Sequence, residues 1–366
     1  MATKIPAKIM RFGLLRQSPD ASAATAFKAL GSTANQWDNP AAAGQNFRTV
    51  YYTKGTPVPD PAATISDYGM TSQKGLNFEL SNFHIDGRSG LAKLNFSGVA
   101  DKLTLAPHLI GALQAVSEGA GTPFTKAITS GFTAGTIDFN GGGGHLHTIA
   151  MDGKASADDG VILENAIIDS LSLTWDFISV GVARLVQMSG TWVGNEMNFE
   201  QTLNGTWVET TIAPYNGSTA NDLFSFVTFT VDSVDWSAQC IRRIVLNINN
   251  NVESNCATTA GKPNQYDVTP EITWNVILDH NSTTEKLMGD FQAGATVDIN
   301  FGNALYVGAG NTDGSLGFDT PFCKITAPPF AYNGEFAGYN IPLRAYQSST
   351  TSPLTCELID TQDWGY

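Results

Sequence analysis

With 366 residues, 42% of them hydrophobic and 10% aromatic, the chain is long enough for two packed domains and too apolar to stay disordered. Charged residues make up only 15%, and the net charge of −14 argues against a nucleic-acid binder that grips phosphates through a basic face. Acidity allows the opposite relation, a surface along which a polyanion passes without sticking. The surface that remains is rich in Asn, Thr, Ser and Gly, which suits both proteins packed against their own copies and secreted β-sandwiches.

Taken in chain order, Lys4, Lys8, Arg11 and Arg16 come first, before any acid. Lys8 and Arg11 interrupt the apolar run that a secretory signal requires, and no stretch reaches the roughly 18 apolar residues of a membrane span. The basic start reads either as a frayed terminus or as an arm that docks on an acidic neighbouring copy. Residues 1–75 read as an irregular N-terminal arm: Ala21–Ala29 could form a short helix, and Pro57, Pro59 and Pro61 are expected to forbid regular structure.

A first β domain is expected over 76–213. Leu76–Ile85 alternates as a strand, Gly87 and Gly90 turn it, and Leu91–Val99 returns. Leu103–Val116 then predicts an amphipathic helix, with Leu105, Leu109, Ile110, Leu113 and Val116 on one stripe and Pro107 in the first turn. After a loop over 118–144, strands are expected at His145–Ala150, Leu163–Ile178, Leu185–Val193 and Phe199–Val208. Pro, Asn, Gly and Ser cluster at Ala213–Asn221 and mark a boundary. The second β domain, 214–366, opens with Phe224–Val234 and Ile241–Ile248. A polar loop over Asn249–Asp267 follows. Then come Ile272–Leu278, a helix over 282–293, and strands at Ala295–Phe301, Phe322–Ile325 and Tyr339–Tyr346.

A strand leading into a helix, then glycine and another strand, occurs twice: Leu94–Gly98 into Leu103–Val116, and Ile272–Val276 into Ser282–Ala293. Such a repeat points to a duplicated unit. The expected architecture is therefore mainly β: two tandem antiparallel sandwich or barrel domains, each with one flanking helix.

Chemistry is harder to find. Asn140-Gly141-Gly142-Gly143-Gly144 precedes a strand rather than the helix a phosphate cradle needs, and neither Gly153-Lys154 nor Gly261-Lys262 opens a P-loop. His145 and His147 share a strand face but lack a third metal ligand in the sequence. Cys240, Cys256, Cys323 and Cys356 form no CxxC pair and read as reduced thiols. Asp158, Asp159 and Asp176 are candidate acids that nothing selects as a pair. Trp175, Trp192, Trp207, Trp236 and Trp274 read as core, with a sugar-binding platform as the other option. No catalytic, cofactor-binding or metal residue is assigned, and no enzyme activity is expected.

One passage runs Ile167-Ile168-Asp169-Ser170-Leu171-Ser172-Leu173-Thr174-Trp175, through Gly181, to Met188-Ser189-Gly190-Thr191-Trp192-Val193-Gly194. It resembles a recurrent stretch of the two-domain tail tube (major tail) proteins of long-tailed bacteriophages. Val231-Asp232-Ser233-Val234 leading to Ile244–Asn249 is similar to the opening of their second domain. The likeness spans 75–346 and leaves the N-terminal arm and the 118–144 loop outside it. It implies a virion structural protein whose inner sheets join edge to edge into rings. Three chains would make a pseudo-sixfold ring, with six chains as the other arrangement. Rings would stack into a conduit for double-stranded DNA, with an acidic lumen and with tape-measure and other tail proteins as partners. Such a protein is assembled in the host cytoplasm and ends in the virion tail. The alternatives from other classes are a β-sandwich adhesin or carbohydrate-binding module, and an enzyme on a β scaffold.

Overall fold

The computed structural model describes residues 11–16, 47–50, 52–53, 56–60, 64–67, 83–86, 91–100, 102–118, 124–130, 136–138, 146–152, 160–178, 186–201, 207–208, 226–232, 234–236, 239–257, 263–281, 284–303, 315–333, 336–348 and 351–360. Strands β1 (Arg11–Arg16), β2 (Phe47–Val50), β3 (Val58–Asp60), β4 (Thr64–Asp67) and β5 (Phe83–Asp86) come before β6 (Ala92–Val99) and helix α1 (Lys102–Leu113). Next come β7 (Gln114–Glu118), β8 (Phe124–Ser130), β9 (Thr136–Asp138), β10 (His147–Asp152), β11 (Gly160–Asp176), β12 (Gln187–Gly194), β13 (Glu196–Gln201) and β14 (Trp207–Val208). The second half holds β15 (Phe226–Val231), β16 (Val234–Asp235), β17 (Ile241–Asn249), β18 (Glu253–Ala257), β19 (Pro263–Asp267), β20 (Glu271–Asp279) and α2 (Lys286–Ala293). It ends with β21 (Val297–Asn303), β22 (Ser315–Ile325), β23 (Phe330–Asn333), β24 (Phe336–Ala345) and β25 (Thr355–Asp360).

The protein is mainly β, and its longest sheet runs through both halves. Its order is β3–β6–β12–β11–β17–β20–β24, after which β23 and the end of β22 lie beside β24. Strands of this spanning sheet alternate between a buried and a more open side, as half-buried strands do, most regularly in β20 and β6. In β20, Ile272, Trp274, Val276 and Leu278 are buried, and the residues between them, Thr273, Asn275 and Ile277, are half-buried. Two outer sheets cover its apolar side. One is β1–β10–β11–β13; the other is β15–β21–β22–β25–β8–β7.

Strand β11 belongs to two sheets. Its first residues pair with β10 and β13, and from Ile167 onward it pairs with β12 and then β17. A bulge between Ile168 and Ser170 marks the turnover, the usual way a long strand bends from one sheet into another. Strand β22 behaves alike, pairing first with β21 and β25 and then, through Cys323–Ile325, with β24.

Both halves repeat one order of pairing. In the first, β3 lies beside β6, β6 beside β12, β12 beside β11, and the start of β11 between β10 and β13. In the second, β17, β20, β24, β22, β21 and β25 take the same places in the same chain order. The two strand-to-helix segments singled out from sequence, β6–α1 and β20–α2, occupy corresponding positions.

The helices differ. The α2 helix flanks the fold with only Leu287 buried, and it ends at Gly294, whose φ of 61° fits glycine's freedom in the left-handed region. By contrast α1 is buried on all sides from Leu105 to Leu113, a core helix where a flanking one was expected. Pro107 sits inside it rather than in the first turn, because the helix starts at Lys102. It stops at Leu113, so Val116 falls in β7. Gln114 takes a φ of 66°, and its amide donates to the Gly111 carbonyl at 2.7 Å.

Several other expectations change. The segment expected as an irregular arm supplies β1 to β4, and β1 pairs along its whole length with β10. Pro59 stands within β3, which is compatible with a strand because β3 is an edge and needs no donor on its open side. The expected 118–144 loop contains all of β8 and β9, and the expected 249–267 loop folds as the β18–β19 hairpin, to which β9 adds. Residues 4, 8, 21–29, 68–82 and the boundary at 213–214 lie outside those described. On either side of that boundary, one contiguous apolar cluster joins residues of both halves.

Packing leaves little slack where sheets and helix meet. A Cβ on Gly190 would lie 2.2 Å from the Ser170 carbonyl and 2.8 Å from the Phe96 ring, whereas one on Gly289 in α2 would meet nothing within 4 Å. Gly190→Ala is therefore expected to destabilise by about 3 kcal/mol through overpacking against backbone. Gly289→Ala is expected to stabilise by about 0.5 kcal/mol through helix propensity. Urea unfolding midpoints of the two variants should move in opposite directions.

Candidate functional site

The side of the spanning sheet that faces away from the core carries rows of hydroxyls and amides, with Val99, Val245, Ile277 and Pro342 among them. Register carries Ser97, Ser189, Ser172, Asn247, Thr273 and Arg344 in one row across six strands. A second row runs Asn95, Thr191, Ser170, Asn249 and Glu271. The Ser172 hydroxyl donates to Asn247 Oδ1 at 2.8 Å, and the Thr191 hydroxyl donates to Asn95 Oδ1 at 2.8 Å. The row on the opposite side is Gly98, Met188, Leu173, Leu246, Trp274 and Leu343, which is core. A shallow groove of about 360 Å³ opens on the polar side, lined by Asn247, Thr273, Asn275, Thr326 and Arg344.

Charges on this face occur in opposite-sign neighbours. Lys93 stands in register with Asp60, and Arg243 with Asp176. Arg344 lies 3.3 Å from Glu271, and Arg242 Nε donates to Asp279 Oδ1 at 2.5 Å. Lys324 adds a further cation beside Arg344, and Asp169 in the β11 bulge accepts the Val252 N–H at 2.8 Å. The two signs thus balance on this face. The acids gather on the far side: Asp232, Asp290, Asp298 and Asp319 lie around α2 and the outer surface of β21 and β22. There, burial and the nearby Asp298 push the Asp319 carboxyl up, while ion pairing to Asp232 pushes the Lys286 ammonium up.

The spanning sheet also ends in two edges that nothing among the described residues pairs. At one end β3 touches only β6, and Val58 is 51% exposed. At the other, β23 touches only β24, with Phe330 44% and Tyr332 77% exposed. Large apolar side chains at both ends of one sheet mark both as candidate contact surfaces.

Among the described residues, those singled out from sequence are not brought together into a reactive centre. Trp175 and Trp274 pack edge-on against Phe301 and Phe318 between the sheets, and the Trp274 indole donates to the Thr320 hydroxyl at 3.0 Å. Trp192 and Trp236 are buried too, so four of the five tryptophans are unable to offer a ring face to a sugar. His147 is buried with its ring 5.2 Å from that of Trp192, and no group of three potential metal ligands occurs among the described residues. Asp176 pairs in register with Arg243, whereas His145, Asp158, Asp159 and Asn140–Gly144 lie outside the described residues. Cys323 is buried and its thiol is pushed up to about 12, mainly by desolvation, which makes it inert. Exposed Cys240 is also raised, chiefly through its hydrogen bond to Asp279.

Sequence reading passed over Asn250. Fully buried, its amide donates to the carbonyls of Ala112 at 2.8 Å and Ile168 at 2.7 Å, tying the end of α1 to β11 and β17. Its only sequence signal was an asparagine in an asparagine-rich run. The β23 edge was also missed, since Pro328 and Pro329 hide a short strand.

No known protein family's profile matches the chain, and no curated protein sequence matches it. Among the described residues no helix is long and apolar enough to cross a membrane.

The Arg242–Asp279 pair sets a pH dependence. Its hydrogen bond holds the Asp279 carboxyl below the usual range, so its stabilisation is present above the ordinary aspartate pKa of about 3.9 and is lost as pH falls through the lower folded value. Asp279→Asn should lower the thermal midpoint at pH 7, and the gap from the parent protein should close as pH drops below about 4.

Proposed function

We propose that the chain is a virion structural protein, a subunit of a phage tail tube whose copies join into stacked rings around a channel for DNA. The observation that carries this reading is the junction between β11 and β17. There the last part of β11 accepts, on its open side, the first spanning-sheet strand of the other half, over seven register pairs from Ser170–Asn249 to Asp176–Arg243.

The corresponding place in the second half is the open side of β22 and β23, and the strand corresponding to β17 is β3. A neighbouring copy's β3 against that open side would repeat, between chains, the join already present within one. Such a contact is head-to-tail, so it generates a ring if the rotation closes. It would also cover Val58, Phe330 and Tyr332, the exposed apolar residues at the two ends. With two repeats of the pairing order per chain, three chains supply six similar units; six chains is the other ring size.

The polar face would then line the bore, and double-stranded DNA would pass along it without specific binding. Stacking of rings, contact with a tape-measure protein, assembly in the host cytoplasm and residence in the virion tail follow from the same reading. The two-domain duplicated β-sandwich of tube proteins is its fold counterpart. The adhesin reading draws on the tryptophans and the Asn- and Thr-rich surface, and Trp175, Trp192, Trp236 and Trp274 lie in the core, which leaves it only the surface.

Electron microscopy of the purified protein should show rings or tubes of uniform width. Val58→Lys and Tyr332→Lys, each placing a charge on a strand edge, should abolish these assemblies while leaving circular dichroism and the thermal midpoint unchanged. A parent protein that stays monomeric at every concentration and salt sinks the reading.

A further inference from the structure

We infer that the carboxylates of the polar face act as built-in counterions, keeping its arginines and lysines from holding nucleic-acid phosphates. This rests on the reading of that face as a DNA lining, and it gives the lining a mechanism other than repulsion by net negative charge. An acidic wall repels a polyanion. A wall of hydroxyls, amides, a few apolar side chains and cations set beside carboxylates is instead indifferent to it.

Among the described residues the face carries five cations; two of them, Arg344 and Arg242, are ion-paired, and two more, Lys93 and Arg243, have a carboxylate as strand-register partner. Asp60 faces Lys93, Asp176 faces Arg243, Glu271 lies 3.3 Å from Arg344, and Asp279 accepts from Arg242 at 2.5 Å. Between these pairs stand Ser97, Ser189, Ser172, Asn247 and Thr273, and the cross-strand bond from Ser172 to Asn247 satisfies part of that row internally. A phosphate approaching Arg344 or Arg242 must compete with a carboxylate already in place. Displacing that partner returns no net charge neutralisation, so little of the counterion release that drives DNA binding is gained. The distribution of charge elsewhere points the same way. Acidic residues cluster around α2 on the outer surface, while this face stays near neutrality within a chain of net charge −14.

Removing the counterions should turn the surface into a DNA-binding one. The test is fluorescence anisotropy of a short random-sequence DNA duplex with the full chain, titrated between about 20 and 200 mM salt. The parent protein should bind weakly with a shallow salt dependence. Glu271→Gln combined with Asp279→Asn frees Arg344 and Arg242, and should tighten binding at the lowest salt by at least about tenfold, with the log–log salt slope steeper by about 2. Adding Arg344→Gln and Arg242→Gln should cancel the gain. If loss of the Asp279 pair unfolds the protein, Asp60→Asn with Glu271→Gln makes the same test at exposed positions.

A folded double variant whose affinity and salt slope match the parent's overturns the inference, as does a gain that survives removal of the two arginines. Ring formation is scored separately by microscopy. Absence of rings with gain of DNA binding would overturn the tube reading alone, and rings without the gain would overturn the counterion role alone.

Discussion

The ladder between β11 and β17 is the constraint on which the rest of the structure depends. It makes two similarly ordered sets of strands into one sheet, and it fixes their register over seven pairs. A shift of one residue would turn Leu171, Leu173 and Trp175 out of the core and Ser170, Ser172 and Thr174 into it. Burial of those three apolar residues therefore sets the register, and the register in turn lines up the rows of hydroxyl and amide side chains. The buried Asn250 locks the same junction from its end, where it closes two carbonyls that would otherwise be left in an apolar setting.

What was legible in the sequence follows from periodicity. β20, β17 and β6 alternate with few slips, and each falls within a few residues of its expected place. Helix α1 was legible as a helix but not as a buried one, because the stripe of Leu105, Leu109, Ile110 and Leu113 looked one-sided while Ala106, Ala112 and Gly111 fill the other side. Small residues carry a weak hydrophobic signal yet allow the closest approach, and a Cβ on Gly111 would sit 2.4 Å from the Trp192 ring. Short polar strands such as β9, β18 and β19 have no alternation to read, since their partners, not their own apolar content, hold them. Strand β3 was hidden for a different reason: prolines argue against central strands, not against edges.

The candidate surface was less legible still. Net charge is a property of the whole chain, whereas the character of one sheet face depends on which side of the pleat each charge occupies. Lys93, Arg243, Lys324 and Arg344 all fall on one side together with Asp60, Asp176, Glu271 and Asp279, and only the register reveals the balance. The tryptophans show the same effect in reverse. Their number invited a ligand platform, and alternation sent Trp175, Trp192 and Trp274 inward.

The two kinds of join differ in strength, and that difference bears on assembly. Inside the chain, β11 and β17 share seven register pairs, while the free edges offer three residues in β3 and four in β23, with Pro59 lacking a donor. A single contact between two copies would therefore be weak, and would lose most of what it gains to the entropy of association. In the proposed ring, closure would change this, because each copy would be held at both edges and the last contact would form within an already assembled body, at high effective concentration. Short, blunted edges thus suit a subunit that stays dispersed as single copies and becomes stable only as a complete ring, which also keeps exposed strands from pairing with the wrong partners. On that logic the brevity of β3 and the prolines around it protect the subunit before assembly and are not flaws in the sheet.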